Sequence, residues 1–260
     1  MTANKRATHW RVFGAELIGT ALLIGVGLSI VILDFGQGGV LVRIVPSEAW
    51  RRLITGFLFG CTGAAITISP LGKASGAHLN PVVTLAFLLM RRLRARHAAG
   101  YVVVQLIGAV LGAAPLLAWG AMGRSVAYGA TLPSPVFGEG WALLGEIGGT
   151  FIMVFCLFEL LRHRATKPFA PALFPPLYAI MVWLEAPLSG ASTNPARSFG
   201  PALISGDWRG GWIYWIGPIV GALLAIAAHR APMWRRSAIG VAKVHHFGHQ
   251  PSAVFHMDAD

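Results

Sequence analysis

The chain has 260 residues, of which 55% are hydrophobic and only 12% charged, with a mean hydropathy of +0.63 and a net charge of +11. These values exclude a disordered chain and set it apart from an ordinary soluble enzyme, whose charged share is about twice as large. The basic excess does not point to nucleic acid, because Lys and Arg cluster in short connections between apolar runs, where they attract anionic lipid and fix topology.

A bilayer core takes about 20 apolar residues in a helix. In chain order, six segments meet that length: Val12–Leu33, Leu53–Leu71, Ala98–Met122, Trp141–Leu161, Phe169–Leu188 and Gly210–Ala228. The first follows Lys5, Arg6 and Arg11 and is too long for a signal-peptide core. Pro171, Pro175 and Pro176 crowd the start of the fifth, where a first helical turn tolerates proline. Two further apolar runs begin at Asn80 and Asn194 and end before Arg91 and Asp207. At about ten residues each they cover about 15 Å, half of a bilayer core of about 30 Å. They read as re-entrant half-helices, so the fold class is an all-α membrane protein of six spans and two half-helices. Cys61 and Cys156 fall inside apolar runs and read as small buried hydrophobes without a disulfide. Trp10, Trp141, Trp212 and Trp215 fit an aromatic belt.

With both termini placed inside, the inner segments hold fifteen Lys and Arg residues and the outer segments five, Arg197 being set aside. That asymmetry supports a cytoplasmic N-terminus, although Arg51 and Arg52 run against it. The resulting division is a cytoplasmic N-terminal segment 1–11, a membrane domain 12–229 and a cytoplasmic tail 230–260, expected to be disordered.

The membrane domain repeats itself. Ser75-Gly76-Ala77-His78-Leu79-Asn80-Pro81 returns 114 residues later as Ser189-Gly190-Ala191-Ser192-Thr193-Asn194-Pro195, identical at five of seven positions. Glu16-Leu17-Ile18-Gly19-Thr20 is answered by Glu146-Ile147-Gly148-Gly149-Thr150, and Gly108-x-x-x-Gly112 by Gly217-x-x-x-Gly221. Each half, 12–122 and 141–228, holds three spans and one half-helix. An odd number of spans inverts the second half relative to the first, a plan that puts the functional site near the midplane.

Asn-Pro is helix-start chemistry, since Asn is a strong N-cap and Pro suits the first helical position. In an inverted repeat, Asn80-Pro81-Val82 and Asn194-Pro195-Ala196 bring two half-helix N-termini, both electropositive, to the bilayer centre. The non-helical stretches Gly76-Ala77-His78 and Gly190-Ala191-Ser192 survive at membrane depth only by lining a cavity or being buried in protein. A ladder of carbonyl acceptors with central amide donors suits water and hydroxylated neutral solutes, and a positive centre repels cations.

These stretches, SGAHLNPVVT at Ser75–Thr84 and SGASTNPARSFGPAL at Ser189–Leu203, resemble those of the major intrinsic protein family, the aquaporins and aquaglyceroporins. Val82 departs from the usual Asn-Pro-Ala of the family and is expected to narrow or tilt the central constriction. The resemblance implies an aquaporin-like fold, a homotetramer with one pore per subunit, and no cofactor. It carries filter positions to Arg197, Ala191, Val182 and, counting back from Asn80, Gly60 or, with a one-residue insertion, Phe59. The combination Gly60-Val182-Ala191-Arg197 is similar to the open filters of plant nodulin-like intrinsic proteins, which pass glycerol, urea or undissociated metalloid acids. Ser198, Ala202, Tyr214 and Trp215 resemble the water-channel pattern instead. The filter side chains carry more weight, because they set pore width and hydrogen bonding directly.

Glu16 and Glu146 are ionisable groups inside spans, placed symmetrically beside the two loops. That symmetry favours carboxylates that accept loop N–H groups over a proton relay. His78 is open to two readings, a pH-sensitive residue at the pore mouth or a hydrogen bond that pins the loop. Glu185 lies one turn beyond Val182 and reads as an interface residue rather than a vestibule one. The tail holds His245, His246, His249 and His256 with Asp258 and Asp260, a spacing that implies no fixed metal geometry. A passive channel for water and small uncharged solutes in a bacterial inner membrane is therefore expected, with a strict water channel as the alternative. A coupled transporter requires central charges beyond Arg197, and an enzyme requires a nucleophile–base pair or metal-ligand cluster that the spans lack.

Overall fold

A computed structural model describes residues 2–231 together with Lys243 and Val244, with side chains from Trp10 onward. Six long helices and two short ones carry the fold. In the first half these are α1 (Thr2–Phe35), α2 (Glu48–Ile68), the short α3 (Pro81–Leu89) and α4 (Ala95–Ala113). In the second half they are α5 (Gly138–Arg162), α6 (Ala170–Ser189), the short α7 (Pro195–Ser205) and α8 (Ile213–Arg230). Among the described residues, five stretches are long and apolar enough to cross a membrane. The sixth long helix, α2, has 21 residues but opens with Glu48, Arg51 and Arg52. The chain is an all-helical, multi-pass integral membrane protein.

Helix ends follow local chemistry more closely than the hydropathy runs do. Helix α1 starts ten residues before the apolar stretch that begins at Val12. The second expected span stops short at Ile68, where Ser69 leaves helical geometry and its side chain accepts the Leu71 N–H to open a separate turn, Pro70–Ser75. The third becomes a 3-10 turn at Ala114–Trp119, because Pro115 has no N–H to give to the helix. Both half-helices start one residue after an asparagine and last 9 and 11 residues.

Lipid is as apolar as Leu, so close packing rather than burial joins these helices. The repeated Gly-x-x-x-Gly pairs serve that packing. A Cβ on Gly112 would lie 2.2 Å from the Ala21 carbonyl, and one on Gly221 2.4 Å from that of Ile147. Glycine therefore presses α4 onto α1 and α8 onto α5, the same pairing in each half. Helices α2 and α6 cross between the halves with equal closeness, at Gly56 against Tyr178 and Gly60 against Phe174. Each half-helix packs into the opposite half. Val83, Ala86 and Phe87 of α3 join Met153, Phe158 and Ala222, while Ala196 of α7 joins Ile24, Leu28 and Ala109. The outward faces of the spans carry Ile18, Leu22, Val103, Ile107, Leu144, Ile180 and Leu224, as a lipid-facing surface requires.

Candidate functional site

The two loops that precede the half-helices are built alike. Gly76, Ala77 and Leu79 have φ of 84, 52 and 52°, and Gly190, Ala191 and Thr193 have 80, 53 and 51°. Three left-handed residues in four turn successive peptide groups through directions that no helix or strand allows, so neighbouring N–H groups point to one side. In each loop a buried carboxylate collects them. Glu146 Oε1 accepts the Ser192 N–H at 2.8 Å and the Ser189 hydroxyl at 2.9 Å, and its Oε2 accepts the Thr193 N–H at 2.7 Å. Glu16 Oε1 accepts the Leu79 N–H and, at 2.8 Å, the Gln105 amide. A tyrosine closes each loop from behind: Tyr101 donates to the Ser75 carbonyl and Tyr214 to that of Ser189.

At the centre, each asparagine caps its own half-helix and reaches into the other half. Asn80 Oδ1 accepts the Val82 N–H at 2.8 Å, and Asn194 Oδ1 accepts that of Ala196 at 3.0 Å. The Asn80 amide donates to the Thr193 carbonyl, and the Asn194 amide to the Leu79 carbonyl, both at 2.9 Å. One N–H of each amide is consumed by this exchange. The other remains for a solute, and both residues line a cavity.

Two cavities follow the axis between the halves. The larger, about 220 Å³, is lined by Arg197, Val182, Ala191, Ser192, Gly190 and Phe59, with Glu48 and Arg52 at its edge. The smaller, about 40 Å³, is lined by Asn80, Asn194, Ala77, His78, Gly60 and Val244. Each has space for waters, which need about 10–15 Å³ apiece on this measure. Arg197 is buried, and its guanidinium donates to the Gly129 carbonyl at 2.6 Å, which fixes the side chain across the larger cavity.

Of the two alternatives for the second-span filter position, Phe59 lines the cavity that holds Arg197, and Gly60 lines the other. Gly60 is committed to the α2–α6 crossing, where a Cβ would stand 2.5 Å from the Phe174 carbonyl. Val82 lines neither cavity; its side chain is 1% exposed and sits in the core beside Phe87. Ala196 is likewise packed away, and Pro81 and Pro195 serve as first helical residues. Gly76 turns its carbonyl toward Val244, whose N–H donates to it at 3.0 Å. His78 does two things at once. Its Nδ1 lies 3.0 Å from the Thr84 hydroxyl and its ring stacks on Phe87, while the residue also lines the smaller cavity.

Glu185 does not line the larger cavity. It is buried between α5 and α6 with its Oε2 over Gly149, where a Cβ would lie 2.4 Å away. Ser189 Oγ stands 3.2 Å from Glu185 Oε1 and 2.9 Å from Glu146 Oε1, so folding brings two carboxyls onto one hydroxyl. Sequence spacing gives no hint of that pairing, because it depends on two glycines on the facing helix. Tyr101, Gln105, Tyr178 and the Gly129 carbonyl also escape sequence reading, since nothing local marks a span residue that bonds to a loop far along the chain. Among the described residues no cluster of three His, Cys, Asp or Glu side chains is arranged to hold a metal. The tail histidines lie outside the described residues.

Two halves with the same helix pairing, two half-helices whose capping asparagines bond across to each other's loop, and two cavities between the halves fit a polytopic membrane channel. The family model of the major intrinsic proteins matches residues 3–229. Similar proteins include the lens fiber major intrinsic protein of Gallus gallus, 31% identical over 91% of this chain and 87% of its own length. Aquaporin NIP1-1 of Zea mays is 33% identical over 83% of this chain and 72% of its own length. Aquaporin PIP1-6 of Zea mays is 40% identical over 166 residues, which cover 60% of this chain and 56% of that protein. In fold, the chain is similar to the aquaglyceroporin from Plasmodium falciparum, with a TM-score of 0.71 at 18% identity, over 86% of this chain and 97% of that one. The chain belongs to the major intrinsic protein family.

Proposed function

We propose that this protein is a passive channel for water and small uncharged solutes, closed to protons and ions, and that it has no enzymatic activity. The observation that carries this reading is the reciprocal pair Asn80–Thr193 and Asn194–Leu79 at the junction of two half-helix N-termini. Two positive helix ends, with Arg197 beyond one of them, repel cations and turn water oxygens toward the centre, which interrupts a proton-conducting chain. Val182 and Ala191 add apolar wall, and the Gly190, Ala191 and Ser192 segment lines the path beside Arg197. Phe59 in that cavity favours the narrower, water-selective version over free passage of glycerol, urea or undissociated metalloid acids.

We further propose a plasma-membrane location, the inner membrane in a bacterium, with both termini cytoplasmic and four copies each carrying a pore. The excess of basic residues in the loops on the terminal side supports this orientation. Light scattering from proteoliposomes tests the channel reading. Acceleration of shrinkage in impermeant sugar over empty vesicles, without dissipation of a proton gradient, is expected. Shrinkage no faster than in empty vesicles, or flux that requires a proton or sodium gradient, overturns it.

A further inference from the structure

Phe59 and Tyr178 are the two residues that the larger and smaller cavities have in common; every other lining residue belongs to one cavity or the other. They come from α2 and α6, the helices that cross between the halves. Their rings are stacked, with centroids 5.9 Å apart and planes 16° from parallel. The Tyr178 hydroxyl lies 3.3 Å from Thr193 Oγ1 and donates to Met153 Sδ at 3.3 Å, so the ring is held at one face and at its tip. Phe174 adds an edge at 6.3 Å.

From this geometry we infer that Tyr178, backed by Phe59, is a specificity-determining residue: a fixed aromatic neck between Arg197 and the asparagine pair that sets the size limit for solutes. The inference rests on the channel reading above. A solute that clears the Arg197 cavity must still pass rings that cannot yield, because Tyr178 is tied down by polar bonds at its far end. The phenol oxygen can accept from a passing water, whereas a three-carbon polyol must displace the ring.

The test is the ratio of glycerol to water permeability in proteoliposomes. Tyr178→Val is expected to raise that ratio about tenfold, the change that a modest drop in barrier gives, while Tyr178→Phe keeps the ring and leaves the ratio near wild type. Gly56 meets the main chain of Tyr178 and not its ring, so the α2–α6 crossing does not depend on this side chain, and thermal unfolding of both variants checks that they are folded. An unchanged ratio in Tyr178→Val, with water conduction intact, overturns the neck. A wild-type protein that conducts no water overturns the channel reading instead, so the two failures are distinct.

A separate observation concerns the other end of the pore. Val244 is 1% exposed and lines the smaller cavity beside Asn80, Asn194 and His78. Its N–H occupies the Gly76 carbonyl, and the Lys243 ammonium donates to the Lys73 carbonyl at 3.2 Å. We propose that this tail contact is autoinhibitory: Val244 seats in the pore mouth and takes an acceptor that permeating water needs. Ending the chain after Ala231, or substituting Val244→Asp, is expected to raise water permeability several-fold per reconstituted channel. Equal or lower permeability in both variants, at equal incorporation and with unchanged thermal unfolding, overturns it.

Discussion

In the first half of the chain, the loop ahead of the half-helix hangs from Glu16, which takes the Leu79 N–H and the Gln105 amide and also draws on the Ser75 side chain and the His78 backbone. In the second half, Glu146 takes two backbone N–H groups and a serine hydroxyl that also faces Glu185. Backbone angles in the two loops agree to within a few degrees, yet one is anchored by a carboxylate with a neutral amide and the other by two carboxyls around one serine. A backbone shape of this kind requires an acceptor at one place and is indifferent to how the acceptor's own surroundings are satisfied. The difference sets two carboxyls, rather than one, behind the half that also carries Arg197.

Removing the anchors separates the halves most sharply. Glu146→Ala leaves the Ser192 and Thr193 N–H groups without their acceptor, at about 1–3 kcal/mol for each buried group, while the Ser189 hydroxyl keeps Glu185. Glu16→Ala strands the Leu79 N–H, while the Gln105 amide keeps the Thr84 hydroxyl. Thermal unfolding in detergent should show the larger loss for Glu146→Ala, to the point of little folded protein, and equal losses would break the comparison. At the centre, Asn80→Asp and Asn194→Asp each put a negative charge against the helix ends that exclude cations. The cation leak, read as collapse of a proton gradient across vesicles, is expected to be greater for Asn80→Asp, because Arg197 follows only Asn194.

Glu185→Gln makes the second half resemble the first, with an amide beside the anchoring carboxylate. It is expected to leave stability unchanged or raise it by about 1 kcal/mol, the net worth of one hydrogen bond, and a marked loss in unfolding temperature would show that the second carboxyl is itself required. The smallest effect lies outside the membrane, where the Arg209 guanidinium bonded to Asp207 holds that carboxyl below its ordinary value of 3.8. A depressed folded value means stability that is present above the ordinary value and lost as pH falls through the folded one. Asp207→Asn should therefore unfold slightly earlier than wild type at neutral pH, with the gap closing in strong acid.

The long helices and both half-helices were legible in the sequence, although the ends of the second and third spans were not. Span length is set by the bilayer, and the repeated Asn-Pro marks a helix start in only one way. Glu16 and Glu146 were legible as loop supports because their symmetry mirrors that of the loops. What stayed hidden depended on rotation about a helix axis. Adjacent Phe59 and Gly60 differ by about 100° of turn, and only the crossing of α2 with α6 decides which one reaches the cavity that holds Arg197. Glu185 looked outward for the same reason, since the glycines that admit it, Gly145 and Gly149, lie on a different helix. Val244 lies far enough along the chain that no local pattern links it to Gly76.

The exchange of amide bonds between Asn80 and Asn194 has a consequence for biosynthesis. A ribosome delivers the first half, complete with its half-helix, well before residue 194 exists. Until then the Leu79 carbonyl and the Asn80 amide have no partner in a medium that offers none, so the nascent half cannot mature by itself. The last polar groups to be satisfied at the bilayer centre are satisfied together, when the second half-helix arrives. Completion of synthesis and closure of the pore seam are thus one event, and a prematurely terminated chain advertises its own incompleteness.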